Sequence, residues 1–247
     1  MLKVNGLTKD FDKVRIINAA QFEVKGDEIV ALVGPNGAGK TTLVNLISGH
    51  ILPTSGKIEF LGRDMTFASP YRRIKMGIAR NFQVTQLFAD STVLDNLKIC
   101  LLSIYGKIKN GLIPAGRYKA ITEEAIRILA TFGISEKTDL LPGNLSEGDK
   151  KILDTAMAFA LKSRFLLLDE PTSGVATGDK FKVMDKIVAA IRKEGMACMI
   201  IEHDMDIVSD YSDRVLVLSE GRIIADGAPS AVMEQMDVRE ILFGVRT

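Results

Sequence analysis

Gly34-Pro35-Asn36-Gly37-Ala38-Gly39-Lys40-Thr41 sets the architecture of this chain. An apolar run, Glu28-Ile29-Val30-Ala31-Leu32-Val33, leads into it, and Thr42-Leu43-Val44-Asn45-Leu46-Ile47-Ser48 leads out with apolar residues at helical spacing. The glycines therefore lie between a buried strand and a helix start, the context in which G-x-x-x-x-G-K-[ST] forms a phosphate-binding loop. Backbone N–H groups turned inward around the β- and γ-phosphates, together with the positive end of the helix dipole, favour bound negative charge. Lys40 adds a point charge and Thr41 a hydroxyl for Mg²⁺. A strand–loop–helix unit of this kind predicts an α/β core.

The rest of the composition limits what such a core can serve. At 247 residues the chain is long enough for one large α/β domain, or a core with a subdomain, and for a sizeable hydrophobic interior. Its 32 basic and 31 acidic residues leave a net charge of +1. No global field then draws it to nucleic acid or acidic lipid, and partners must be chosen by local surfaces. Cys100 and Cys198 are far apart and flanked by apolar residues, as expected of reduced core thiols rather than a disulfide or metal site. No apolar run approaches the ~18 residues of a membrane span, and Met1-Leu2-Lys3-Val4-Asn5-Gly6 lacks a leader pattern.

Outward from the loop, residues 2–8 and 15–25 alternate as strands, joined by a polar turn that carries Phe11 where an aromatic has no obvious core to fill. A turn at 52–56 leads to a short strand at 57–60, a basic helix stop at 71–77, and a strand from Ile78 to Gln83. Residues 91–104 and 118–132 carry helical periodicity, with a mobile loop expected at 105–117. A helix opens at Leu145-Ser146-Glu147-Gly148-Asp149 and runs to about Lys162. Strands at 165–170, 197–202, 214–218 and 222–226, a helix at 178–194 and short C-terminal helices complete the pattern.

Two more clusters carry chemistry. Phe165-Leu166-Leu167-Leu168-Asp169-Glu170 puts two carboxylates at the carboxyl end of a buried strand, where open α/β sheets place ligands. Beside a phosphate loop their roles separate. Asp169 suits Mg²⁺ and its water shell, and Glu170 suits orienting or deprotonating an attacking water. His203 follows another buried strand, which places it at the same sheet edge, in reach of a γ-phosphate. Ser146 with Asp149 three residues on has the pattern of a helix-capping box.

Taken in order and spacing, the loop at 34–41, Gln83, Leu145-Ser146-Glu147-Gly148-Asp149, Leu166-Leu167-Leu168-Asp169-Glu170-Pro171 and His203 resemble the Walker A, Q-loop, signature, Walker B and H-loop motifs of ABC-transporter ATPases. The resemblance spans nearly the whole chain. It implies a RecA-like core sheet with an N-terminal antiparallel β subdomain and an inserted α-helical subdomain. The boundaries expected within this single ABC ATPase domain, 1–247, are 1–85 and 163–247 for the nucleotide-binding core and 86–162 for the insertion.

It also implies roles. Phe11 would stack on adenine, and Gly34, Asn36, Gly37, Ala38, Gly39, Lys40, Thr41 and Thr42 would hold ATP. Thr41, Gln83 and Asp169 would hold Mg²⁺, while Glu170, His203, Lys40 and Gln83 would carry hydrolysis. Ser146 and Gly148 would reach the γ-phosphate bound by a second ATPase subunit, identical or related, in a head-to-tail dimer.

The sequence departs from the family pattern at three places. Glu147 and Asp149 stand where the family signature usually reads Gly and Gln, and the extra carboxylates are expected to weaken dimer closure. Replacing them with Gly and Gln is then expected to strengthen it. Ala176 stands where an Asp is usual, which removes a contact across the dimer.

Ala79-Arg80-Asn81-Phe82-Gln83 through Leu87-Phe88, Val93-Leu94-Asp95-Asn96-Leu97, the loop from Tyr105 to Arg117, Ile201-Glu202-His203-Asp204-Met205 and Val238-Arg239-Glu240-Ile241-Leu242-Phe243-Gly244 look like the branched-chain amino acid importer ATPases, a group that also serves urea and short amides. That resemblance implies transmembrane permease subunits, an extracytoplasmic solute-binding protein, and a peripheral place on the cytoplasmic face of the cell membrane, with no nucleic acid. Set against it are a soluble non-transport ABC ATPase of the assembly or repair type and a non-hydrolysing regulatory subunit.

Overall fold

The computed structural model describes residues 1–81, 87–105 and 115–244, so Gln83 and most of the loop expected at 105–117 lie outside the described residues. In chain order the elements are β1 (Leu2–Phe11), β2 (Val14–Val24), β3 (Ile29–Val33), α1 (Lys40–Ser48), β4 (Ser55–Phe60), β5 (Arg63–Asp64), α2 (Pro70–Met76) and β6 (Ile78–Arg80). There follow α3 (Val93–Tyr105), α4 (Ala115–Thr131), α5 (Glu147–Ala160), β7 (Phe165–Asp169), α6 (Thr177–Lys193), β8 (Ala197–Ile201), α7 (Met205–Tyr211), β9 (Arg214–Ser219), β10 (Arg222–Gly227), α8 (Pro229–Met233) and α9 (Met236–Phe243). They form two compact units, Met1–Arg73 with Gly195–Thr247, and Ile74–Glu194.

The first unit holds an antiparallel sheet in the order β2-β1-β4-β5. Alternation explains it: Leu2 and Val4 of β1 face inward with Lys3 and Asn5 outward, and Leu2 pairs with Val24 on one side and Phe60 on the other. A second set of strands has β3 at its centre, parallel to β8 and β9, with β10 antiparallel to β9. All five residues of β3 and all five of β8 are buried. Strands covered on both faces have no polar side to show, and their sequences are accordingly unbroken apolar runs. Ala31, Val33, Val215 and Val217 pack with Val208, Val232 and Val238 of the C-terminal helices, which cover one face.

Two charged residues lock this unit. Arg214 on β9 pairs with Glu28, just before β3, at 2.6 Å and with Asp226 on β10 at 2.7 Å. Arg73 on α2 is fully buried and spends its guanidinium on carbonyls: Nη1 donates to Leu46 and Ile47 at 2.6 Å each, Nε to Ala68 and Nη2 to Thr66 at 3.0 Å. The first two belong to the last turn of α1, whose carbonyls have no partner within the helix and carry its negative pole. Burial pulls the Arg73 pKa down to about 10, so it remains a cation at neutral pH. The phosphate-loop helix is thus pinned at its far end by an arginine that the sequence presents only as one of several basic residues at 71–77.

The second unit pairs β6 with β7 in parallel, Ile78 opposite Phe165, packs α5 against both, and also holds helices α3, α4 and α6. Helix α5 is buried nearly all round, every residue from Lys151 to Ala158 being covered, as befits a helix inside the unit. Phe132 meets Phe159 edge to face, with ring centroids 5.4 Å apart. Two short turns of 3₁₀-helix, Ser135–Lys137 and Pro142–Asn144, carry the chain from α4 to α5. Both thiols are free, and Cys198 is buried as expected, but Cys100 on α3 is only partly covered. Burial pushes its pKa up to about 11, so it stays protonated at neutral pH. Among the described residues no helix is long and apolar enough to cross a membrane.

The N-cap of helix α6 is Ala176, which has no side-chain oxygen to accept from the first-turn N–H groups. An aspartate there supplies that acceptor and a negative charge at the positive pole. Ala176→Asp is expected to stabilise the chain by about 1 kcal/mol, which for this size raises the melting temperature by roughly 2–4 °C in a thermal-shift assay.

Candidate functional site

In the first unit the phosphate loop leaves β3 at Val33 and enters α1 at Lys40. Gly34 is obligatory there: a Cβ would lie 2.1 Å from the Leu218 carbonyl oxygen of β9, at a φ of +157°. Gly39 caps α1 in the left-handed region at φ 103°, brings no side chain to its first-turn amides, and that turn contains no acid. The amides and the positive pole are therefore left to a ligand, the condition for anion binding at a helix start. Asn36, Gly37 and Thr41 are exposed, Thr42 is half-buried and Ala38 is buried. The loop is anchored from β9–β10, where the Gly221 N–H donates to the Ala38 carbonyl at 3.1 Å.

Lys40 is only 8% exposed and folds back over its own loop, donating from Nζ to the Gly34 carbonyl at 2.6 Å and the Pro35 carbonyl at 3.0 Å. A cation held over the mouth of the loop by carbonyls is ready to exchange those neutral acceptors for charged phosphate oxygens, which bind it more strongly.

His203 belongs to the same unit. Leu32 of β3 is paired with Ile201 of β8, so Gly34 and His203 each lie two residues beyond a matched pair, at one sheet edge. His203 is exposed, and its N–H donates to the carboxylate of buried Glu202 at 3.3 Å. Phe11 closes β1 opposite Val14 at the hairpin tip, 44% exposed, with Lys9 Nζ 4.8 Å from its ring centroid.

The second unit carries the two carboxylates. Asp169 ends β7 and is 4% exposed. Arg80 of the neighbouring strand β6 donates from Nη2 to its Oδ2 at 2.7 Å, and the Asp169 N–H donates to Asn81 Oδ1 at 2.6 Å. Neither partner was singled out in the sequence for this role. The available signal was a charged residue ending a buried strand that runs parallel to β7, with Arg80 opposite Leu167. Among the described residues, Asn81 Nδ2 is buried without a hydrogen bond. Glu170 follows at φ 50°, a left-handed conformation that costs a non-glycine residue of order 1 kcal/mol or more and that clusters at functional positions.

Asp169, already paired with the Arg80 cation, and separately in the first unit the exposed Thr41 at a helix start each carry the kind of hard oxygen donor that Mg²⁺ takes.

In the same unit Ser146 caps α5, its hydroxyl accepting from the Asp149 N–H at 3.2 Å. The expected box is half formed. The Asp149 carboxylate takes a hydrogen bond from the Ser146 hydroxyl at 2.6 Å and one from Lys137 Nζ at 2.5 Å, both on Oδ2. Burial opposes the charge on Asp149, but the hydrogen bonds from Lys137 and Ser146 hold its carboxyl below the usual range. Glu147 is paired with Lys150 at 2.7 Å. Gly148 is needed where it stands, since a Cβ would lie 2.8 Å from Val183 of α6. Ser146, Gly148, Asp149, Val175, Lys182 and Lys186 line a cleft of about 450 Å³ beside this helix start.

The family model for ABC transporters matches residues 17–173. The probable branched-chain amino acid transport ATP-binding protein LivG of Archaeoglobus fulgidus is 32% identical over 250 residues, covering 100% of this chain and 96% of that protein. The high-affinity branched-chain amino acid transport ATP-binding protein LivG of Escherichia coli is 32% identical over 253 residues, 99% of this chain and 98% of the other. Among solved structures, an ATP-binding cassette of an ABC transporter superposes with a TM-score of 0.86 at 30% identity over 99% of both chains. Its ADP conformation gives 0.85 at 29% identity, again over 99% of both. The fold is thus the P-loop α/β cassette expected from the sequence, and its site is a nucleotide site.

Proposed function

This chain belongs to the ABC transporter family, and from that membership we propose that it is the ATP-binding and ATP-hydrolysing subunit of an importer for branched-chain amino acids or related amides. The observation that carries the chemistry is Lys40 held over the Gly34 and Pro35 carbonyls at a helix start with no side-chain cap. Support for the solute class comes from relatives, named for branched-chain amino acid transport, that align over nearly their whole length. Those relatives also favour transport over the soluble non-transport alternative.

In this mechanism the loop amides from Gly34 to Thr42 and the Lys40 ammonium take the β- and γ-phosphates of ATP. Thr41, Asp169 and Gln83 would hold Mg²⁺, which would supply charge to neutralise the phosphate oxygens. Asp169 would then have to exchange its Arg80 partner for the ion. Glu170 orients and deprotonates the attacking water, His203 steadies the γ-phosphate, and Phe11 stacks on the adenine. Ser146 and Gly148 contact the γ-phosphate bound by a second subunit, identical or related.

Closure of the pair passes through the helical insertion, 86–162, and the Gln83 loop to transmembrane permease subunits. The core, 1–85 and 163–247, keeps the nucleotide. An extracytoplasmic binding protein delivers the solute, and the chain works as a peripheral subunit on the cytoplasmic face of the cell membrane.

Affinity capture of tagged chain from detergent-solubilised membranes tests the transport reading. The expected result is co-isolation of multi-span polypeptides in a fixed ratio to the chain. Capture of ATPase subunits with no membrane partner would instead favour the non-transport alternative.

A further inference from the structure

The Asp149 carboxylate is a problem for the proposed function. It lies three residues into the helix start that would receive a partner's γ-phosphate, and it is nine-tenths buried. Water screens it poorly, so its repulsion of a phosphate is larger than that of a surface acid. It also takes the Ser146 hydroxyl proton at 2.6 Å, the same proton Ser146 would offer to the phosphate.

Lys137 answers both difficulties. It stands in the 3₁₀ turn Ser135–Lys137 between α4 and α5, and its Nζ lies 2.5 Å from the same oxygen, Oδ2, that Ser146 occupies. Two donors share one acceptor. If Ser146 rotates toward a phosphate, Oδ2 still has an ammonium against it, and the pair presents no net charge. Glu147 beside it is exposed and held by Lys150, so its field is mostly screened.

We infer that Lys137 is a positioning residue for ATP bound in trans: by neutralising and satisfying Asp149 it frees the Ser146 hydroxyl for the γ-phosphate of the partner subunit. This rests on the reading of the chain as an ATP-closed pair. It also corrects the expectation that two bare carboxylates weaken closure, because both carry a lysine counter-charge. The gain expected from replacing Glu147 and Asp149 is accordingly small.

The test uses the full chain carrying Glu170→Gln to trap closed pairs. The ATP concentration that gives half-maximal dimer is read by light scattering, and nucleotide affinity of the monomer is read separately. Lys137→Met is expected to raise that concentration about three- to ten-fold, from a like-charge contact at ~6 Å in a partly desolvated site. Monomer affinity stays unchanged, because the loop at 34–41 is untouched. Lys137→Arg keeps the parent value. Asp149→Gln alone does not weaken dimerisation, and the Lys137→Met, Asp149→Gln double variant returns to the parent value.

A merely structural ion pair would make both single variants weaker. That pattern, or no effect of Lys137→Met in a parent that dimerises, would overturn the inference while leaving the proposed function intact. A parent chain that binds ATP and never dimerises would overturn the reading of the pair as two identical chains, and this inference with it.

Discussion

Replacing Glu170 with Gln is expected to lower ATP turnover about 10³-fold while nucleotide affinity changes less than about two-fold, since a positioned general base contributes 10²–10⁴ to such a reaction. The substitution keeps the side chain's shape and its hydrogen-bonding reach and removes only its capacity to take a proton. Backbone conformation is preserved too. Glu170 sits at φ 50°, and Gln meets the same steric terms there as Glu, so the strained turn after β7 is undisturbed. Phosphate release under saturating ATP, set beside a fluorescent-nucleotide titration, separates the two quantities. Turnover near that of the unsubstituted chain would remove Glu170 from the role of base.

Lys40→Ala is expected to act on binding instead, raising the ATP dissociation constant about 100-fold, the loss of one or two charge-assisted hydrogen bonds to phosphate at about 1.5–3 kcal/mol each. Lys40 is nearly buried and bound to the Gly34 and Pro35 carbonyls, so its removal also loosens the loop before any nucleotide arrives. Fluorescent-nucleotide titration reads the first effect and a melting curve the second. A variant that binds ATP normally would show that the loop's amides alone suffice. The two substitutions thus divide the proposed mechanism: one leaves a chain that binds and does not turn over, the other a chain that barely binds.

Much of this architecture was legible because it rests on local patterns. β3 and β8 were visible as unbroken apolar runs, and the loop after β3 as glycines at fixed offsets. The glycine at 34 has a reason the sequence does not contain, the Leu218 carbonyl 2.1 Å from its missing Cβ. Long-range electrostatic partners were not legible. Arg73 stood out only as one of the basic residues at 71–77, and it caps α1 from inside the core. Arg80 and Asn81 were quoted for their resemblance to relatives, but their bonds to Asp169 depend on the parallel register of β6 and β7.

Lys137 is the clearest case. Twelve residues separate it from Asp149, and only the two 3₁₀ turns between α4 and α5 bring the charges together. Helix periodicity cannot report such a contact, since the intervening chain has no regular period. The sequence therefore showed two unexplained carboxylates, and the structure shows the cation belonging to each.

Everything proposed here depends on the chain taking up ATP and spending it as one of a pair. Phosphate release measured across a range of chain concentrations, with millimolar ATP and Mg²⁺, tests that most directly. For a pair of identical chains the expected result is saturable release whose rate per chain rises with chain concentration, because each site is completed by the second subunit. Chain that neither takes up nucleotide nor releases phosphate under those conditions would contradict it.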